Sequence, residues 1–599
     1  MKAPLALALL PLVQLLPNLV HSLPTDQQDG PLSSRSDFDR FRNAPSQGGS
    51  PEYSLTGRHG AVATEVDVCS NIGVQLLEQG GSAADAIIGA SLCVGSIAAF
   101  HSGIGGGGFG LLRTKSGEYE MFDFRETMPA LGNETMYSNN SNPKASTVGG
   151  LAVGVPGELR AWEALHKRYG KLPWKTLFRP AIDLNSKGFK VPNQLASGLN
   201  TKSYPYICTD PYFKEVYCPN GTAKAEGETI YRKRYARTLK TISEEGADAF
   251  YEGEIATNTV AMVQARGGIL SLEDLKNYTV VYRSPNNITF GGSRVFAGVA
   301  PCSGNAVLST LKTMSLFGPE DAGLNLTTHR IVEATKFAYG ERGHYGDPAF
   351  VDGVEQLQKE YLGEAYTEEK RSKIKDGSVE AVSYYDPTNS QVLQDSGTSQ
   401  LTVVDSEGMA ITLTTTINTF WGSTVMTPDG IILNNEMDDF SSPGSSNSYG
   451  LVPTEANFIR PGKRPLSSIS PVIVEDLETK ELRLATGSAG GSRIITAVIQ
   501  NTFGVLHSNF TTDLQTVIDR PRWHDQLQPN LTSFEWATPS IPGFEGFDNS
   551  TVAYLASLGH NVSWVAPGQS TAQGVQIFKN GTLLAATEIR QLSARGAAY

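Results

Sequence analysis

At Gly397–Thr398 the sequence changes character across a single peptide bond. The stretch Glu368–Gly397 is dense in Lys, Asp, Ser and Asn and has no periodicity, so it reads as the most linker-like part of the interior. A strand alternation follows at once, with Thr398, Gln400 and Thr402 on one face and Leu401 and Val403 on the other. A turn followed by an ordinary strand accounts for this pattern. So does a chain that is cut before Thr398, which makes that threonine a new N-terminus. Downstream the chain is strand-rich: "MAITLTTTI", "GIILNN", "PVIVED" and "LRLATG" precede a helix near Ser492–Asn509. Upstream, from Gly60, helices and strands are mixed. Two helical apolar runs split by Gly80-Gly81 lead to "GFGLLRTKSGEYEMFDFRE", a hairpin turning at Lys115–Gly117. Further helices are expected near Gly157–Tyr169, Arg234–Glu244 and Thr328–Arg342. A mixed α/β first part and a β-heavy second part thus meet at the junction, with no internal repeat.

Hydrophobic residues make up 40% of the 599 and charged residues 18%, enough to bury a large core. The net charge of −12, with no basic stripe, argues against a nucleic-acid partner. The N-terminus has a basic Lys2, an apolar run Leu5–Leu16 and small residues around His21-Ser22. It reads as a signal peptide over 1–22, and a membrane anchor would be interrupted by Pro11, Gln14, Pro17 and Asn18. Residues 23–55 follow as a polar, flexible lead-in. Entry into the secretory pathway agrees with eleven Asn-x-Ser/Thr sequons, at Asn133, Asn139, Asn220, Asn277, Asn287, Asn325, Asn509, Asn530, Asn549, Asn561 and Asn580. It places the protein outside the cell, at its surface or in a vacuolar lumen. Five cysteines suggest two disulfides and one thiol. By proximity the pairs are Cys69–Cys93 and Cys208–Cys218, leaving Cys302.

Gly103-x-Gly105-x-x-Gly108 fits the dinucleotide-binding pattern, with Asp123 at the right distance, but a helix precedes it and a hairpin follows. The run reads instead as a tight backbone passage against another segment. The nine His are scattered and there is no Cys-x-x-Cys, so no metal or other cofactor is expected. No Gly-x-Ser-x-Gly elbow occurs.

The remaining polar motifs complement one another. "LNNEMDDFSSPG" supplies Glu436, Asp438 and Asp439, which suit an ammonium; "KRPLSSISP" supplies hydroxyls, which suit a carboxylate. "TGSAGGSRI" puts a Gly-Gly step before a helix, where bare N–H groups face an oxyanion, and Arg125 in "DFRET" offers a planar fork to a carboxylate. Together they describe an amino-acid-like substrate attacked at a carbonyl. A threonine hydroxyl needs a base to attack, and no His or Lys stands near Thr398 in sequence. Cutting before Thr398 would free an α-amine with a pKa of roughly 7.7–8, and that amine would be the base.

With "SGIGGGGF", "DFRET", "SGTSQL", "TTTIN", "LNNEMDDFSSP", "RPLSSISP" and "TGSAGGSRIIT", the sequence from about Gly60 to Tyr599 resembles γ-glutamyltransferase, an N-terminal-nucleophile hydrolase. The resemblance implies a four-layer αββα sandwich and a proenzyme that cuts itself between Gly397 and Thr398. The products would be a large subunit (56–397) and a small catalytic subunit (398–599), entwined as a heterodimer. It implies that Thr398 takes the γ-glutamyl group from glutathione or its conjugates and passes it to amino acids, dipeptides or water. Arg125, Ser467 and Ser468 would hold the glutamate α-carboxylate, and Asn418, Glu436 and Asp439 its α-ammonium. Gly490 and Gly491 would form the oxyanion hole, and Thr416 would hydrogen-bond Thr398. The loop 441–450 resembles a lid with Tyr449 as its gate. Gln400 departs from the family, whose members often carry His there. Two alternatives remain: a related acylase for another side-chain amide, which would leave the ammonium site unpaired, and an inactive secreted binding glycoprotein.

Overall fold

The structure, a computed structural model, describes residues 53–138, 140–318, 322–388, 397–443 and 452–599. The signal peptide, most of the lead-in, Asn139 and Tyr449 lie outside the described residues.

Two seven-stranded antiparallel sheets face each other. The first runs Arg595–Ala598, Ala61–Thr64, Ser399–Val404, Ala410–Thr416, Gly107–Arg113, Tyr119–Asp123, Val281–Arg283. The second runs Thr56–Gly57, Leu583–Thr587, Thr571–Ile577, Leu482–Ala489, Val472–Asp476, Ser293–Ala297, Asn286–Phe290. In both sheets, strands from before and after residue 398 sit side by side. Helices Asp67–Glu78 and Ala83–Ile97 cover the outer face of the first sheet, and Gly304–Met314 and Arg493–His507 that of the second. The order of layers is helix, sheet, sheet, helix.

The alternation that opens at Thr398 follows from these layers. Leu401 and Val403, paired with Leu413 and Ile411, pack under the outer helices with Ile87 and Leu92. Gln400 and Thr402, paired with Thr414 and Thr412, face the other sheet and are equally buried. The polar face is therefore interior, and its groups satisfy one another. Gln400 Nε2 donates to Thr412 Oγ1 at 2.8 Å, and Gln400 Oε1 accepts from Thr414 Oγ1 at 2.7 Å. A Cβ on Gly487 would lie 2.3 Å from Gln400 Oε1, so the facing strand needs glycine to admit this amide.

The hairpin forms as expected, with Gly117 at φ +87° in its turn. The expected helices are found at Glu158–Tyr169, Lys233–Glu245, Gly323–Arg342 and Arg493–His507. Both disulfides form, and Cys302 is free and buried. Two expectations fail. "GIILNN" makes only the isolated bridge Met426–Ile432. Its end is captured by the glycine run: Asn434 donates its backbone N–H and its side-chain Nδ2 to Gly105 O, at 3.1 and 2.8 Å. The supposed linker, Glu368–Gly397, begins inside the helix Glu364–Lys373, whose charges are used internally. Lys370 is buried in an ion pair with Glu341 at 2.7 Å, and Arg371 stacks on Phe317.

Candidate active site

The glycine run is the scaffold of the site. Added Cβ atoms would lie 2.1 Å from Ile432 O at Gly105, 1.9 Å from Thr416 O at Gly106 and 2.1 Å from Thr414 O at Gly108. Only bare backbone allows the Ala410–Thr416 strand to close on Gly107–Arg113. That closure delivers Thr416 to the junction. Its hydroxyl accepts from Asn418 N–H and donates to Gly397 O, both at 2.7 Å. The expected bond was to Thr398; the observed one is to the carbonyl of the bond before it.

Thr398 Oγ1 accepts from Gly490 N–H at 3.0 Å. Gly490 and Gly491 have φ of +123° and +59°, a left-handed step that side-chain-bearing residues disfavour. A Cβ at Gly490 would lie 2.4 Å from Gln569 O. The backbone can thus present its N–H to the hydroxyl.

On one side of Thr398 lies a narrow pocket lined by Arg125, Asn418, Asp439, Ser467 and Gly491. Arg125 is buried; its Nη1 is 2.6 Å from Glu436 Oε1, and its Nη2 pairs with Asp439. Burial opposes the guanidinium charge, but Glu436 and Asp439 more than offset it, so its pKa rises. Burial pushes Glu436 well above the usual carboxylate range. Behind the pair, neither oxygen of Glu126 has a hydrogen-bond partner among the described residues, and burial raises its pKa to about 8. Glu158, one layer further, is raised to about 7 by burial, opposed by the Thr415 hydroxyl. A fixed cation and a carboxylate thus stand together at the mouth, with reluctant acids behind them.

Ser467 and Ser468 are not equivalent. Ser467 lines the pocket, whereas Ser468 Oγ accepts from Arg342 Nη2 at 3.2 Å. Asn418 Nδ2 is used by Asn435 O at 3.0 Å, and Asp438 accepts from Ser146 at 2.6 Å. Sequence reasoning missed the bracing around Thr398. Buried Glu65 accepts from His101 Nε2 at 2.9 Å, from Gln591 Nε2 at 2.9 Å and from Ser399 Oγ. It also missed His329 and His560, which meet beside Glu333 in a buried cluster of metal-ligand type. There Lys336 reaches His560 Nδ1, His560 Nε2 reaches His329 Nδ1, and His329 Nε2 reaches Lys375 O, at 3.3, 2.8 and 2.7 Å. The terminal ammonium and carbonyl fix the tautomers, so protein groups alone satisfy every ring nitrogen. Of the ten described sequons, nine asparagines are exposed and Asn325 is partly so.

The sequence profile of the family described as Gamma-glutamyltranspeptidase matches residues 69–598. The chain is 42% identical over 562 residues to a glutathione hydrolase proenzyme of Arthroderma benhamiae, covering 90% of this chain and 93% of that one. It is 39% identical over 530 residues to a glutathione hydrolase of Aspergillus flavus, covering 87% and 86%. The crystal structure of cephalosporin acylase from Bacillus halodurans superposes with a TM-score of 0.78 at 24% identity, over 96% of this chain and 99% of that one, so the two chains share a fold. With a profile that spans nearly all the described residues and a relative aligned over 90% of this chain and 93% of its own, the chain belongs to the γ-glutamyltranspeptidase family.

Proposed function

We propose that this protein is a self-processing γ-glutamyltransferase that acts on glutathione and related γ-glutamyl compounds. The observation that carries the reading is the position of Thr398. Its hydroxyl sits on the Gly490 N–H, beside a buried pocket that offers an arginine and a carboxylate.

In the uncut chain, Thr398 Oγ1 attacks the Gly397 carbonyl carbon. The Thr416 hydroxyl, already donating to that carbonyl oxygen, stabilises the developing charge. The C–N bond breaks, its nitrogen takes the hydroxyl proton, and water hydrolyses the resulting ester. A Gly397 carboxylate and a free Thr398 amine remain. The large and small subunits stay together as a heterodimer, because each sheet contains strands of both, paired across the cut.

In turnover the free amine takes the Thr398 hydroxyl proton as the oxygen attacks the γ-carbonyl, help worth roughly 10²–10⁴ in rate. The Gly490 and Gly491 N–H groups receive the oxyanion, each donor worth about 10²–10³. The amine returns the proton to the departing nitrogen, and cysteinylglycine leaves. An amino acid, a dipeptide or water then takes the γ-glutamyl group from the ester. A bound γ-glutamyl group exchanges for the internal ion pair: its α-carboxylate takes Arg125 and Ser467, and its α-ammonium takes Asp439 and Glu436. Asn418, its Nδ2 held by Asn435 O, lines this pocket, and Ser468 supports it from behind. All steps use groups of the chain and water, and the protein works in the secretory route, outside the cell or in a vacuole.

Intact mass and N-terminal sequencing of the purified, deglycosylated protein, with an assay for cysteinylglycine release, test this reading. Two fragments are expected, the smaller beginning Thr-Ser-Gln-Leu. An uncut chain, or a cut chain that leaves glutathione intact, overturns it.

A further inference from the structure

On the other side of Thr398 a cavity of about 780 Å³ opens. Its wall carries His101 and two arginines, and two of the three are engaged by carboxylates. His101 is held by Glu65, at 2.9 Å. Arg590 pairs with Glu535 and Glu588, at 2.6 and 2.7 Å. The third, Arg493, three residues past Gly490, has one hydrogen bond, from Nη1 to Ser533 Oγ at 3.1 Å, and no ion pair among the described residues. The acid whose charge reaches it is Glu535, which is saturated: besides Arg590 it accepts from the backbone N–H of Arg522 and of Gly568. His524, also on the wall, is held neutral by burial and by Arg493, with its pKa pushed down to about 3, and its nitrogens are met by Thr496 and Gln526. Burial likewise lowers the pKa of Arg493 itself. A half-buried guanidinium with unused donors and no ion pair among the described residues is suited to bind an anion.

We infer that Arg493 binds the free carboxylate that ends the peptide joined to the γ-glutamyl group, and the same group on an incoming acceptor. This rests on the γ-glutamyl-transfer reading and adds a second anchor to it. Arg125 would fix the substrate's glutamate end in the narrow pocket and Arg493 its far end in the wide one, with the scissile amide held over Thr398 between them. The planar fork suits a carboxylate in two parallel hydrogen bonds, and an amide or ester in its place would leave the cation unpaired.

The test compares glutathione with its glycine amide, which differs only in that charge. The wild-type enzyme is expected to favour the acid by about 10- to 100-fold in kcat/KM, as a charge-assisted pair would. In Arg493→Gln this preference is expected to collapse to near unity, mostly through KM, and Arg493→Lys is expected to recover part of it. A wild-type enzyme that turns over both substrates equally would sink the inference while leaving γ-glutamyl transfer standing, even if the variants fail to fold. So would a variant in which acid and amide suffer equally, since that would make Arg493 a support for the Gly490 backbone. Failure of the wild type to cleave glutathione at all would instead remove the underlying reading.

Discussion

In the proposed chemistry Thr398 works through two groups, a hydroxyl present from synthesis and an amine created only by cutting. Thr398→Ala removes the first and so precludes the second: one uncut polypeptide on a denaturing gel, without turnover, is expected, and any cut at 397–398 in that variant would reassign the nucleophile. Asp439→Ala should still process but lose about 2–5 kcal/mol of substrate binding, at least ~30-fold in kcat/KM, because Arg125 is left with a missing partner. Unchanged kinetics would take Asp439 out of the ammonium site. Glu126 gives a pH signature. Its pKa, raised by burial to about 8 in the fold, makes its stabilisation complete below the unfolded value of 4.5 and progressively lost as pH climbs through 8. Glu126→Gln should therefore flatten the fall in Tm between pH 5 and 8, and a parallel fall in both proteins would refute this. At this scale the sequence was readable wherever a motif was contiguous. Thr398, Arg125 and Asp439 stood out because their neighbours advertised them. Glu65, whose hydroxyl partner Ser399 lies 334 residues away, carries no local mark. Nor does Arg342, which reaches Ser468 from the end of the helix Gly323–Arg342.

Among the elements, the glycine run does the most to place chemistry, and its crowding makes a measurable claim. Gly106→Ala would drive a methyl to 1.9 Å from Thr416 O, pushing the two strands apart. A loss of roughly 1–3 kcal/mol from overpacking is expected, with slower self-cleavage as Thr416 moves off Gly397 O. Gly377→Ala, whose Cβ meets nothing within 4 Å, is the control and should cost no more than about 0.5 kcal/mol. Equal effects in both variants would sink the scaffold role. Period and turn chemistry made the hairpin, the strands after Thr398 and the longer helices legible. They failed where long-range contacts decide. "GIILNN" has a strand's composition but spends Asn434 on Gly105, and Glu364–Lys373 lacks an apolar stripe because Lys370, buried on Glu341, and Arg371, stacked on Phe317, make its inward contacts.

For the whole molecule, layer order was implied only by family resemblance, since no periodicity says which strands are neighbours. The structure makes the pairing explicit: Ser399–Val404 lies between Ala61–Thr64 and Ala410–Thr416, and Arg595–Ala598 closes the same sheet against Ala61–Thr64. The two fragments are therefore expected to run as two bands in detergent and as one species in native size exclusion. Dissociation without denaturant would contradict the interleaving. That interleaving also gives the protein a direction in time. An intact chain can thread its strands into place because its loops hold the halves within reach, but severed halves that have come apart expose unpaired sheet edges and find each other only by collision. Maturation is then a ratchet. On the proposed scheme the protein folds before it becomes active, and halves that have been separated re-pair only at a rate set by their concentration.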